Sequence, residues 1–74
     1  MIQNKNEILI SGVIYNPDGS KSIGAAIEVI QVNAKNSERI TLGYTFTDEF
    51  GAYGFLLKVN SFSIYEFNVY SPIN

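Results

Sequence analysis

Asp48 and Glu49 stand side by side in TFTDEFGAYGF, residues 45–55, where adjacent carboxylates invite a chemical reading. Two carboxylates can share general acid–base work or hold a calcium ion. Acid–base work needs a further functional group and a pocket, and the sequence contains no His and no Cys. Calcium needs several oxygen ligands at loop spacing, and Asp-Glu-Phe supplies two at most. As a turn the same residues are fully used. Asp accepts backbone N–H bonds from two or three residues on, and Gly51 supplies the positive φ that closes a hairpin. The stretch therefore reads as a corner.

Other candidates give way similarly. Ser11, Ser20, Ser22 and the threonines lack a base, so no hydrolytic triad can be built. The glycines fit no phosphate-cradling pattern, and Gly12, Gly43 and Gly54 read as strand positions crossed by a bulky neighbour. Aromatic rings on one sheet face could stack against sugar. With no Trp, and most aromatics in inward rows, they read first as core. The expectation is a non-enzyme, with no catalytic, cofactor-binding or metal-ligating residue and no cofactor.

The elements that position these residues follow from period-two alternation punctuated by turn residues. The first run is EILISGVIY, residues 7–15, with Ile8, Ile10, Gly12 and Ile14 on one face and Leu9, Ser11, Val13 and Tyr15 on the other. NPDGS follows as a tight turn, Pro17 fixing φ and Gly19 free to turn left-handed. AAIEVIQV, residues 25–32, carries apolar groups in both rows, so both faces are covered or a bulge shifts the register. NAKNSER, residues 33–39, is an exposed loop. ITLGYTFT, residues 40–47, alternates with Leu42, Tyr44 and Phe46 on one side. AYGFLLKV, residues 52–59, gathers Tyr53, Phe55, Leu57 and Val59. FSIYEFNVY, residues 62–70, gathers Tyr65, Phe67 and Val69. The expected fold is all-β, a small antiparallel Ig-like or prealbumin-like β-sandwich of about five to seven strands. Its packing residues are Ile8, Ile10, Ile14, Ile27, Val29, Leu42, Tyr44, Phe46, Tyr53, Phe55, Phe67 and Val69.

Seventy-four residues make a single domain, 1–74, with 1–6 as a loose N-terminal segment. So short a chain builds a marginal core, usually supplemented by disulfides, a metal or a partner. Lacking Cys and His, this one is left with tight packing or association. It is 46% hydrophobic and only 16% charged, so part of its apolar surface is expected to be covered by something else. The net charge of −2 and the scattered Lys5, Lys21, Lys35, Arg39 and Lys58 argue against nucleic acid. No apolar run approaches membrane-spanning length, and MIQNKNEILIS lacks the long apolar stretch of a signal peptide. Cytoplasmic synthesis is expected, with incorporation into a phage-like particle or surface assembly. A fragment of a larger surface protein would look the same.

ISGVIYNPDGSKSIGAAIEV followed by YTFTDEFGAYGF resembles the carboxypeptidase regulatory-like domains and their relatives, the collagen-adhesin B-type repeats and the transthyretin-like fold. The matching positions are Gly12 with Ile14, Gly19, Gly24 with Ala25, and Thr47-Asp48-Glu49-Phe50-Gly51-Ala52-Tyr53. They cover roughly residues 8–57 and are structural. That fold hosts hormone carriers, adhesin stalks, sugar-binding modules and enzyme accessory domains. Lys21 and Ser22 depart from the Pro and aliphatic residue common there. Ile8, Ile10 and Ile14 stand where an isopeptide crosslink would need a lysine. Family members continue into a closing strand, whereas this sequence stops at SPIN, so the resemblance implies an exposed sheet edge and association. The resulting expectation is a structural or adhesive module in a larger assembly, its contact surface formed by Ile30, Val32, Ile64, Tyr70, Pro72 and Ile73. The alternative is a carbohydrate- or peptide-binding accessory module, with Tyr15 and Tyr70 as test positions.

Overall fold

A computed structural model describes residues 7–71, and the expectations for residues 1–6, Pro72 and Ile73 lie outside that range. The chain is all-β. Five strands, β1 (Glu7–Val13), β2 (Ala26–Asn33), β3 (Arg39–Phe46), β4 (Ala52–Lys58) and β5 (Ser63–Tyr70), form two antiparallel sheets, with no helix among the described residues. One sheet is the pair β1–β4. The other has the order β3–β2–β5. Together they make a small β-sandwich.

Alternation explains the interior. Ile27 and Val29 on the central strand β2 are fully buried, as is Ala25, and Leu57 of β4 is buried on the other sheet. Ile8, Ile10 and Gly12 of β1 pair with Leu57, Phe55 and Tyr53 of β4, so both strands turn the same row inward. Gly12 and Gly43 are the expected crossing points. A Cβ on Gly12 would meet the Tyr53 hydroxyl at 2.9 Å, and one on Gly43 would meet the Phe55 ring at 3.3 Å. Gly54 is looser, with Leu9 at 3.7 Å.

Corners hold the strands in register. Gly19 N–H donates to the Asn16 carbonyl at 2.9 Å, closing the turn around Pro17 and Asp18, and Gly19 takes φ +90°. Between β2 and β3, Asn33 Oδ1 accepts from Lys35 N–H and Asn36 N–H, and Ser37 turns left-handed. Tyr65 Oη accepts from Asn60 N–H at 3.0 Å and fastens the turn between β4 and β5. Buried Thr47 extends the β2–β3 pairing past the ends of the two strands. Its Oγ1 accepts from Ala25 N–H at 2.8 Å, and its N–H donates to the Ala25 carbonyl at 2.9 Å.

β3 departs from simple alternation. Its register on β2 runs from Val29 opposite Gly43 to Ile30 opposite Thr41, so Leu42 is an extra residue, a β-bulge. The sequence row of Leu42, Tyr44 and Phe46 is thereby split. Leu42 faces the cleft between the sheets, whereas Tyr44 and Phe46 are exposed on the outer face. The reason is steric: Phe55 lies against Gly43, and Thr45 Oγ1 donates to the Gly54 carbonyl at 2.9 Å. At positions 43 and 45 the inner side of β3 has room for small residues only. Ile8 and Val69 also prove exposed, because the two-stranded sheet is narrower than its partner and β4 sits beside β3. Among the described residues β1 and β5 do not approach one another. That side of the sandwich is open.

Candidate functional site

Asp48 is a corner. Its Oδ1 accepts from Phe50 N–H at 2.8 Å and Ala52 N–H at 3.0 Å, and its carbonyl accepts from Gly51 N–H at 3.0 Å. Gly51 adopts φ +72° beneath it, and a Cβ there would meet the Ile14 carbonyl oxygen at 2.9 Å. Oδ1 and the Asp48 carbonyl are thus committed to the turn. Asp18 behaves alike, with Ser20 Oγ–H and N–H both donating to Oδ1 at 2.6 and 2.9 Å. The Ser20 bonds hold its carboxyl below the usual carboxylate range.

The contact row expected on the outer side of the three-stranded sheet is only partly assembled. Ile30, Val32, Ile64 and Tyr70 do share that face, since Val32 pairs with Ile64 and Ile30 with Glu66 across β2 and β5. Ile30, however, is 6% exposed, being central in the sheet with Thr41 and Glu66 on either side. Tyr70 lies six residues along β5 from Ile64, or about 20 Å at about 3.3 Å per residue. A polar band separates the two ends. Tyr15 follows β1, a strand of the other sheet, and bridges Lys21 rather than any residue of the sheet that carries Tyr70.

That polar band is the feature that strand patterning left unseen. Glu28 projects from the middle of β2, opposite Tyr44 of β3 and Asn68 of β5. Thr41 Oγ1–H donates to Glu28 Oε2 at 2.7 Å, Tyr70 Oη–H donates to Oε1 at 3.0 Å, and Tyr44 Oη stands 3.5 Å from Oε2. Thr41 and Tyr44 are three apart and would face opposite sides of a regular strand. The bulge at Leu42 puts both on Glu28. Hydrogen bonds from Thr41 and then Tyr70 keep the Glu28 carboxyl below the ordinary glutamate range, and Glu28 in turn raises the Tyr70 phenol. Phe46 flanks the group at 63% exposure, and Tyr70 at 53%. Further along, Arg39 donates to Glu66 Oε1 at 2.6 Å, which lowers the Glu66 carboxyl.

Two other surfaces stand out. An open cleft of about 530 Å³ runs along the β3–β4 side, lined by Gln31, Leu42, Phe55 and Leu57 among others. On the outer face of the β1–β4 pair, Leu9 and Leu56 are direct cross-strand partners at 68% and 61% exposure.

The chain matches no family model, no curated protein and no solved structure.

Proposed function

We propose that this chain is a non-catalytic structural or adhesive module that acts within a larger protein assembly, such as a bacterial surface structure or a phage-like particle. The observation that carries the reading is the placement of large apolar side chains. Leu9 and Leu56 face outward together on one sheet, and Ile64 beside Val32 does so on the other. Each such side chain gains about 1.5–3 kcal/mol when fully removed from water, so a covering surface is strongly favoured. The open side between β1 and β5 adds sheet edges, which neighbouring chains readily cover. The resemblance to transthyretin-like and collagen-adhesin B-type domains is compatible with the same reading, because adhesin stalks are among the roles that fold hosts.

Light scattering after gel filtration across a dilution series tests it. The expected mass exceeds the 8.2 kDa of one chain and falls on dilution. Leu56→Ser and Ile64→Ser report which face is used, and both positions are exposed enough to be changed without disturbing the interior. A folded monomer at every concentration would sink self-association.

A second reading rests on the rings of Tyr44, Phe46 and Tyr70 around Glu28: a module that binds carbohydrate or peptide on that face. It requires that Tyr70→Ala abolish glycan binding without altering the mass.

A further inference from the structure

Three hydroxyls converge on Glu28, and their protons determine what the cluster can still offer. A hydroxyl carries one proton. Those of Thr41 and Tyr70 are given to the two carboxylate oxygens, and Tyr44 Oη stands at the limit of the same contact. What remains directed outward is a set of oxygen lone pairs around an ionised carboxylate, with the Asn68 amide as the one further donor-bearing side chain opposite Glu28. The flanking rings of Tyr44, Phe46 and Tyr70 are exposed, and aromatic faces are electrically negative.

A surface of acceptors and ring faces is complementary to a donor-rich cation. A sugar is matched less fully, because its hydroxyls could donate to the carboxylate but would find few protons to accept. Among the described residues no cation forms an ion pair with Glu28. The only ion pair there is Arg39 with Glu66, and Arg39 contributes to Glu28 only a weaker, longer-range attraction. That pair shows the same face already holding one guanidinium against one carboxylate.

We propose that Glu28, Tyr44 and Tyr70 form a seat for an arginine side chain presented by a partner protein. A guanidinium is planar, carries five donors and stacks on aromatic rings, so it satisfies several lone pairs at once. An ammonium has three donors and no plane to stack. The chain's only arginine, Arg39, is engaged by Glu66, so the occupant comes from a different protein. This inference rests on the assembly reading above and names the chemistry of one contact within it.

The test titrates isotopically labelled protein with N-acetyl-arginine amide at low salt, followed by amide and tyrosine-ring resonances. Saturable shifts are expected at Glu28, Thr41, Tyr44, Asn68 and Tyr70. Glu28→Gln should weaken the affinity by at least about tenfold, because it replaces a charge-assisted contact by a neutral one. Tyr70→Phe, which removes one hydroxyl and leaves the ring, should weaken it less. Unchanged amide dispersion in both variants shows that the fold is intact. The proposal is overturned by the absence of localised shifts, by equal affinity in Glu28→Gln, or by a neutral methyl glycoside binding the same residues more tightly. Because solution mass is measured separately, loss of arginine binding in a protein that still associates would remove this contact and leave the assembly reading standing.

Discussion

At the scale of single residues, the turns are where chemistry and conformation are most tightly bound together. Gly51 and Gly19 both adopt positive φ, yet their surroundings differ. A Cβ at Gly51 would press on the Ile14 carbonyl oxygen at 2.9 Å and the Lys21 Cβ at 3.0 Å, whereas at Gly19 nothing lies within 4 Å. Gly19→Ala should therefore cost only the left-handed penalty of about 1–2 kcal/mol. Gly51→Ala should cost clearly more, about 3 kcal/mol or above, since backbone must also move. Thermal or urea unfolding of the two variants decides it, and equal losses would refute the crowding argument. Ser22 is a different case. It is fully buried, its Oγ has no hydrogen-bond partner, and it stands where the resembled family has an aliphatic residue. Ser22→Ala should raise stability by about 1 kcal/mol, because a desolvated hydroxyl with no partner is a cost. A destabilised Ser22→Ala would mean that the hydroxyl is satisfied in solution. Asp48, Gly51, Pro17 and Gly19 were all legible in the sequence, because turn residues act through neighbours only a few positions away.

At the scale of strands, all five elements were readable from alternation, and their bounds fall close to those expected. What alternation could not supply was the phase of β3. Whether Tyr44 points in or out depends on Phe55 lying over Gly43, a contact between residues twelve apart in different sheets. The two apolar rows of β2 left two readings open, cover on both faces or a bulge. β2 itself runs in unbroken register with β5, and the bulge lies on β3 opposite its Val29/Ile30 step. The Glu28 cluster went unnoticed because it is made across strands: Thr41 meets Glu28 only after that shift, while Tyr44 and Tyr70 reach it through the pairing of β2 with β3 and β5. These cross-strand bonds predict a pH dependence with a definite sign. Glu28 and Glu66 titrate lower in the fold than in the unfolded chain, so their stabilisation is present above the ordinary glutamate range and is lost as pH falls through the folded values. Tyr70 titrates higher, so its contribution is present below the ordinary tyrosine range and is lost as pH rises through the folded value. Melting temperature should thus hold a plateau at neutral pH and fall at both extremes, with Glu28→Gln flattening both limbs. A Glu28→Gln profile that overlays the parent would show that the cluster contributes nothing to folding.

For the molecule as a whole, the interior is small. Ala25, Ile27, Val29, Ile30 and Leu57 are the buried apolar residues among those described, while Leu9, Phe46, Leu56 and Ile64 face solvent. Composition gave fair warning, since 46% hydrophobic residues exceed what so small a body can enclose. It could not say which residues would be left outside, because that depends on the unequal widths of the two sheets. If a second chain covers these faces, binding stabilises the folded state by mass action. The melting temperature should then rise with protein concentration, and Leu56→Ser or Ile64→Ser should remove that rise. A concentration-independent midpoint in the parent would count against association.

The bulge at Leu42 also governs how this strand can change length. Removing one residue from a strand ordinarily reverses every side chain beyond the gap and destroys the sheet. Here the extra residue is Leu42 itself, and its removal would join Thr41 directly to Gly43. Both halves of β3 already stand in register with β2, so Thr41, Tyr44 and Phe46 would keep their side of the sheet. A shortened chain would lose one wall of the cleft and retain the Glu28 cluster. Gain or loss of a single codon at this position is a step that the outer face can survive.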